Sequence, residues 1–168
     1  MKFSIRRAIA GDEPFLWQML YYAAHMDEEL GVSAESAKTN PDLVYYVENW
    51  GSGSADLGFV ATSPDGSLAG AAWIRVMPPS SLLYQYVASD IPELAIAVAQ
   101  AFIGSGAGTA LMCALLEAAR GRHKAIVLSV RANNPAKRLY ERVGFKTVAT
   151  IRNRVGSESS IMLCDLPE

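Results

Sequence analysis

Between Glu93 and Arg120 the chain passes through an apolar run, a glycine-rich turn and an amphipathic run, ELAIAVAQAF-IGSGAG-TALMCALLEAAR. The apolar run, residues 94–98, is too short for a buried helix and reads as a buried strand. Gly104, Gly106 and Gly108 then permit a tight turn, and the periodic run from Thr109 reads as a helix. A strand, a turn of small residues and a helix N-terminus in that order make an anion site. Backbone N–H groups converge there, and the helix dipole adds partial positive charge. Two familiar versions are excluded. A dinucleotide fingerprint needs G-x-G-x-x-G and an acidic residue about 20 positions later; here the spacing is G-x-G-x-G, and Leu128 stands at that distance from Gly108. A phosphate loop needs Gly-Lys-Ser/Thr, and Thr109 follows Gly108 directly. Taken alone, the glycines also fit a turn that binds nothing.

The flanking sequence supplies the rest of an α/β pattern. Residues 3–9 alternate as a strand. Asp12 is placed to cap a helix with Pro14 in its first turn and Phe15, Leu16, Met19, Leu20 and Ala23 on one face, ending near His25 or Met26. Residues 27–39 are polar and unperiodic. Asn40 and Pro41 predict a second helix carrying Leu43, Val44 and Val47. Residues 57–62 and 68–77 predict a hairpin around Pro64, Asp65 and Gly66. Residues 80–92 have no clear period. Beyond Gly121 come a strand at 125–130, a helix opened by Asn134 and Pro135, and strands at 145–151 and 160–166. The order β-α-α-β-β-β-α-β-α-β-β predicts an α/β domain with a mixed sheet.

Composition narrows the function class. At 51% hydrophobic and 19% charged, the 168 residues are those of a globular chain. A net charge of −2 argues against nucleic acid or an anionic membrane as partner. No segment approaches the roughly 20 apolar residues of a membrane span, and the N-terminus lacks a signal-peptide core. Cys113 and Cys164 lack metal-ligand spacing and are too few for a disulfide scaffold, so a cytoplasmic location is expected and no metal.

The chemistry becomes specific downstream, at Asn133-Asn134-Pro135-Ala136-Lys137-Arg138-Leu139-Tyr140-Glu141-Arg142-Val143-Gly144-Phe145. This stretch and the glycine turn together resemble the GNAT superfamily of acyl-CoA N-acyltransferases. The family's cofactor motif, Arg/Gln-x-x-Gly-x-Gly/Ala, falls on Ile103, Gly104, Ser105, Gly106, Ala107 and Gly108. Its second motif, Asn-x-x-Ala-x-x-Leu-Tyr-x-x-x-Gly-Phe, is matched by Asn133, Ala136, Leu139, Tyr140, Gly144 and Phe145. The resemblance covers essentially the whole chain and implies one N-acetyltransferase-like domain over residues 1–168. The implied fold is a mixed, mostly antiparallel sheet with flanking helices, in which strand 94–98 splays from its parallel neighbour at 126–130.

The implied activity is transfer of acetyl from acetyl-CoA to a primary amine of a small molecule or peptide, by direct attack and without a covalent enzyme intermediate. Ile96, Ala97 and Val98 would hold the pantetheine arm along the strand. Gly104 to Thr109 would hold the pyrophosphate, with Ile103 at the head of the motif, and Asn133, Ala136 and Tyr140 would complete the cofactor site. Tyr140 would be the general acid for the leaving thiolate. A homodimer follows from family habit only.

Each assignment has a plainer competitor. Tyr140 lies on the apolar stripe of its helix and also suits a core aromatic. Asn134 is most simply a cap. Glu93, at the start of the central strand, is either the general base or an ordinary solvated carboxylate. His25 has a suitable reference pKa for a base, and a surface or capping role equally fits it. Asp27, Glu28 and Glu29 suit attraction of a cationic amine or plain solvation. Tyr21, Tyr22, Trp50 and Trp73 suit an acceptor pocket or the core. Ile103 stands where the family places a basic or amide residue, so either Lys137 or Arg142 compensates or the cofactor binds less tightly. The alternative is a CoA-binding or interaction module of the same fold with a degenerate active site.

Overall fold

The computed structural model describes residues 2–26, 33–153 and 155–167. Its strands are β1 (Ser4–Arg7), β2 (Leu57–Thr62), β3 (Leu68–Arg75), β4 (Glu93–Val98), β5 (Ala125–Arg131), β6 (Lys146–Arg152) and β7 (Glu158–Asp165). They form one seven-stranded sheet in the order β1-β2-β3-β4-β5-β7-β6. Every neighbouring pair is antiparallel except β4–β5. The α-helices are α1 (Glu13–Ala23), α2 (Ala107–Ala119) and α3 (Lys137–Val143). The mixed, mostly antiparallel sheet with one parallel pair and flanking helices is the architecture that the resemblance implies.

Strand alternation sorts the core into two layers. On one face Phe15, Leu16, Met19 and Leu20 of α1 pack on Val60, Ala71, Trp73 and Ala95. On the other, Leu111, Met112, Leu115 and Leu116 of α2 pack on Ile74, Leu94, Ile126 and Met162. The middle of the sheet is built from small residues, and at Gly70 a Cβ would lie 2.8 Å from the Ala97 carbonyl oxygen.

The feature that positions the site is the way β4 leaves β5. Their pairing consists of Glu93 opposite Val127, supported by Val127 N–H donating to the Pro92 carbonyl at 3.1 Å. On its other side β4 is paired with β3 along its whole length. The bond from Ala99 N–H to the Ala69 carbonyl, 2.7 Å, fixes the phase of that ladder. Ala95, Ala97 and Ala99 therefore turn their backbone groups to β3, and Ile96 and Val98 turn theirs to the gap.

Three local expectations are corrected. The helix predicted after Asn40 is only a single 3-10 turn, Val44–Tyr46. The Asn40 side chain accepts the Asp42 N–H at 2.9 Å, and Trp73 and Arg75 capture the carbonyls of Tyr45, Tyr46, Glu48 and Asn49. An α-helix would have used those carbonyls itself. Asp12 stands at the start of α1, but its carboxylate turns back to the Ile9 N–H and the Arg6 guanidinium, each at 2.8 Å. The glycine turn is shorter than expected, because α2 begins at Ala107 and includes Gly108.

Candidate active site

Where β4 and β5 part, a cleft of about 950 Å³ opens. Glu93 and the strand residues 94–98 line one wall, and residues 128–131 of β5 line the other. His25 after α1, Tyr46 from the loop before β2, and Asn134, Ala136 and Tyr140 around α3 complete it.

The glycine turn borders this cleft through Ile103. Gly104 and Gly106 have φ of 79° and 93°, a left-handed conformation that side chains resist. Gly106 immediately precedes α2, and no side chain caps that helix. The first N–H groups of a helix have no partner within it. Those of Ala107, Gly108 and Thr109 are thus presented to an anion. Ser105 shapes the turn: its N–H, at 3.2 Å, and its hydroxyl both bond the Phe102 carbonyl. At Gly108 a Cβ would make only ordinary contact with Val98 Cγ2, at 3.6 Å. Ile103 is 69% exposed and brings no charge. Lys137, a candidate replacement, donates to Ser160 on β7 at 3.1 Å. Arg142 lies exposed in the last turn of α3.

Glu93 is not an ordinary strand-end carboxylate. It is 4% exposed, and burial pushes its carboxyl up to about 7, against the opposing pull of a hydrogen bond from the Tyr46 hydroxyl. Burial, and then the Glu93 charge, hold the Tyr46 hydroxyl well above the usual phenol range. Tyr46 is a cleft residue that sequence reading missed. No local pattern links positions 46 and 93; only the folding of the loop over β4 does.

Tyr140 reaches the cleft from α3, edge-to-face with Phe145 at 6.1 Å between ring centroids. Burial alone pushes its hydroxyl up to about 12. Tyr140 packs with the core and also lines the cleft. Asn134, rather than Asn133, lines the cleft, while Asn133 is exposed. The predicted cap is corrected: α3 begins at Lys137 after Ala136 with no side-chain cap, and the Asn134 side chain instead accepts the Ala136 N–H at 2.9 Å in the preceding turn, with its amide nitrogen 3.4 Å from His25 Nε2. His25 holds a φ of 58°. Trp50 and Trp73 are core residues, 4% and 1% exposed, whereas Tyr22 lines the cleft. Asp27, Glu28 and Glu29 lie outside the described residues. Among the described residues no group of three His, Cys, Asp or Glu side chains is arranged to hold a metal ion. None of their helices is long and apolar enough to cross a membrane.

The acetyltransferase (GNAT) family matches residues 17–145. The chain belongs to this family. The GNAT fold of the chain extends beyond the matched segment. It is similar over 99% of its length to the ribosomal-protein-S18-alanine N-acetyltransferase from Escherichia coli, with 23% identity, 96% of that chain covered and a TM-score of 0.67. A GCN5-related N-acetyltransferase from Kribbella flavida matches 98% of this GNAT chain at 20% identity, with 98% of its own chain covered and a TM-score of 0.67. A spermidine N-acetyltransferase from Vibrio cholerae matches 98% at 16% identity, with 94% of its chain covered and a TM-score of 0.64. At these identities the likeness is one of fold. No curated protein matches the sequence. Membership makes the chain an acyltransferase of a family that generally uses acetyl-CoA.

Proposed function

We propose that this GNAT protein transfers acetyl from acetyl-CoA to a primary amine by direct attack, with Glu93 as general base and Tyr140 as donor to the departing sulfur. The observation that carries the reading is their shared cleft, at the point where β4 parts from β5. The surroundings fit the co-substrate. The uncapped start of α2 suits a pyrophosphate. The backbone of Ile96 and Val98, turned to the gap, suits the amides of a pantetheine arm in the manner of an added strand. Asn134 replaces Asn133 as the side-chain amide nearest that arm.

Bound acetyl-CoA supplies a thioester carbonyl carbon open to nucleophiles. An N–H of β4 facing the gap polarises its oxygen. An amine arrives mostly protonated, and Glu93 takes its proton, a task suited to a carboxyl that titrates near 7. The N–C bond forms, the C–S bond breaks, and the sulfur leaves with the electron pair. Tyr140 stays protonated at every working pH. Its hydroxyl donates a hydrogen bond to that sulfur and passes it the proton, as desolvation raises the thiol as well, and the second proton that the new amide nitrogen sheds restores the phenol.

The acceptor end is rimmed by Tyr45, Leu82 and Val155, each lining the cleft although 45–48% exposed. Three protruding apolar side chains from three separate loops favour an amine with an apolar body. The free thiols Cys113 and Cys164 support a reducing compartment. The test is acetyl-CoA-dependent thiol release across apolar monoamines, polyamines and peptide N-termini, with Tyr140→Phe as control. Saturable release that Tyr140→Phe slows supports the reading. Tight acetyl-CoA binding with no turnover for any amine would favour the binding module that Ile103 suggests.

A further inference from the structure

The loop that carries Tyr46 is pinned from β3. Trp73 Nε1–H donates to the Tyr46 carbonyl at 2.9 Å. Arg75 donates to the carbonyls of Tyr45 at 3.2 Å and Asn49 at 3.0 Å. Arg75 is held in turn by the Asp56 carboxylate at 3.0 and 2.8 Å, and its guanidinium lies 5.5 Å over the Trp50 ring. Val47, the next residue, is fully buried. With the backbone fixed on both sides, the Tyr46 side chain is directed at β4, where its hydroxyl donates to Glu93 Oε2. Arg75 is also the register partner of Glu93. One end of β3 therefore places both members of the pair.

We infer that Tyr46 is a positioning residue for acetyl transfer: from this pinned loop its hydroxyl orients the Glu93 carboxylate and favours the ionised form that accepts the amine's proton. The inference rests on the reading of Glu93 as the base. The other groups facing that carboxylate are committed elsewhere. Tyr84 accepts the Met77 N–H at 2.9 Å and donates to the Ile91 carbonyl at 3.2 Å. Arg75 is spent on Asp56 and the loop carbonyls. Val127, the neighbour on β5, is apolar. Tyr22 and His25 at the end of α1, Asp42 and Arg131 share the cleft. Among the described residues Tyr46 alone hydrogen-bonds the carboxylate. Glu93 must lose its proton before it can take one, so the rate rises with pH through its titration. Removing the donor leaves burial unopposed and moves that rise to higher pH.

The test is the pH dependence of kcat/KM in Tyr46→Phe, Trp73→Phe and Glu93→Gln. Tyr46→Phe is expected to move the acidic limb up by about one unit, a loss of about tenfold below the limb that recovers on the plateau. Trp73→Phe keeps a ring in the core but frees the Tyr46 carbonyl, and is expected to shift the limb in the same direction by less. A limb left in place by both variants, or a loss equal at all pH values, overturns the role of Tyr46, provided that Glu93→Gln removes the limb. If Glu93→Gln keeps the limb of the unmodified protein, the assignment of the base fails first. If Tyr46→Phe does not fold, Trp73→Phe alone decides.

Discussion

Keeping a carboxyl group buried and titrating near 7 costs stability whenever that group is charged, and Glu93 bears that cost at working pH. The sign follows from linkage. The folded-state pKa is raised above the ordinary 4.5, so the protein is favoured below that value and loses stability as pH rises through about 7. Glu93→Gln is therefore expected to be more stable than the unmodified protein at pH 8, by up to about 3 kcal/mol, and to show no such gain near pH 5. Urea unfolding at the two pH values measures this. Tyr140→Phe is expected to lower kcat about 10²-fold while leaving acetyl-CoA affinity in place, read from steady-state kinetics and calorimetry. At Gly106 the constraint is conformational: φ is 93°, and a Cβ would meet nothing within 4 Å. Gly106→Ala should cost on the order of 1 kcal/mol in strain, read out as several-fold weaker acetyl-CoA binding.

At the scale of elements, the pair of Arg75 and Asp56 does the work that a helix was expected to do. Their side chains are 12% and 3% exposed. Burial works to raise the Asp56 carboxyl, but the Arg75 bond and the N–H groups of Gly53 and Gly51 outweigh it and hold it below the usual carboxylate range. Its stabilising contribution is thus present above the ordinary carboxylate pKa and lost as pH falls through the lowered one. Asp56→Ala is expected to destabilise the fold by about 2–3 kcal/mol, because it takes the carboxylate from Arg75 and leaves its charge to the loop carbonyls; a urea-midpoint series on this variant checks it. The same pair explains what could and could not be read in advance. The strand, glycine turn and helix around Gly106 were legible because each step is a local rule, and the run from Asn133 to Phe145 was legible as a motif. The segment from Asn40 to Asn49 was not. Its periodicity matched a helix, but its carbonyls are claimed by Trp73 and Arg75, more than twenty residues away in sequence. Tyr46 was missed for that reason, and the choice between Asn133 and Asn134 depended on how the chain turns into α3.

For the molecule as a whole, the proposed reaction gives one cleft a co-substrate end and an acceptor end. The first is backbone: the turned-out edge of β4 and the start of α2. The second is side chains from separate loops that no local pattern links, which is why the acceptor was the least legible part of the sequence. The rim of Tyr45, Leu82 and Val155 leads to a selectivity prediction. Leu82→Ser should raise KM for an aromatic or branched monoamine several-fold and leave KM for acetyl-CoA unchanged. A spermidine-like polyamine that outcompetes every apolar monoamine would contradict this view of the rim.

The most direct test of the central claim, that this cleft transfers acetyl to an amine with Glu93 as base, is thiol release from acetyl-CoA. It should be followed from about pH 5.5 to about pH 9 with the best amine of the panel, for the unmodified protein and Glu93→Gln. Amine-dependent release is expected to climb through about pH 7, with a loss of roughly 10²-fold or more in Glu93→Gln. Acetyl-CoA binding without release for any amine, or an unchanged profile in Glu93→Gln, would contradict it.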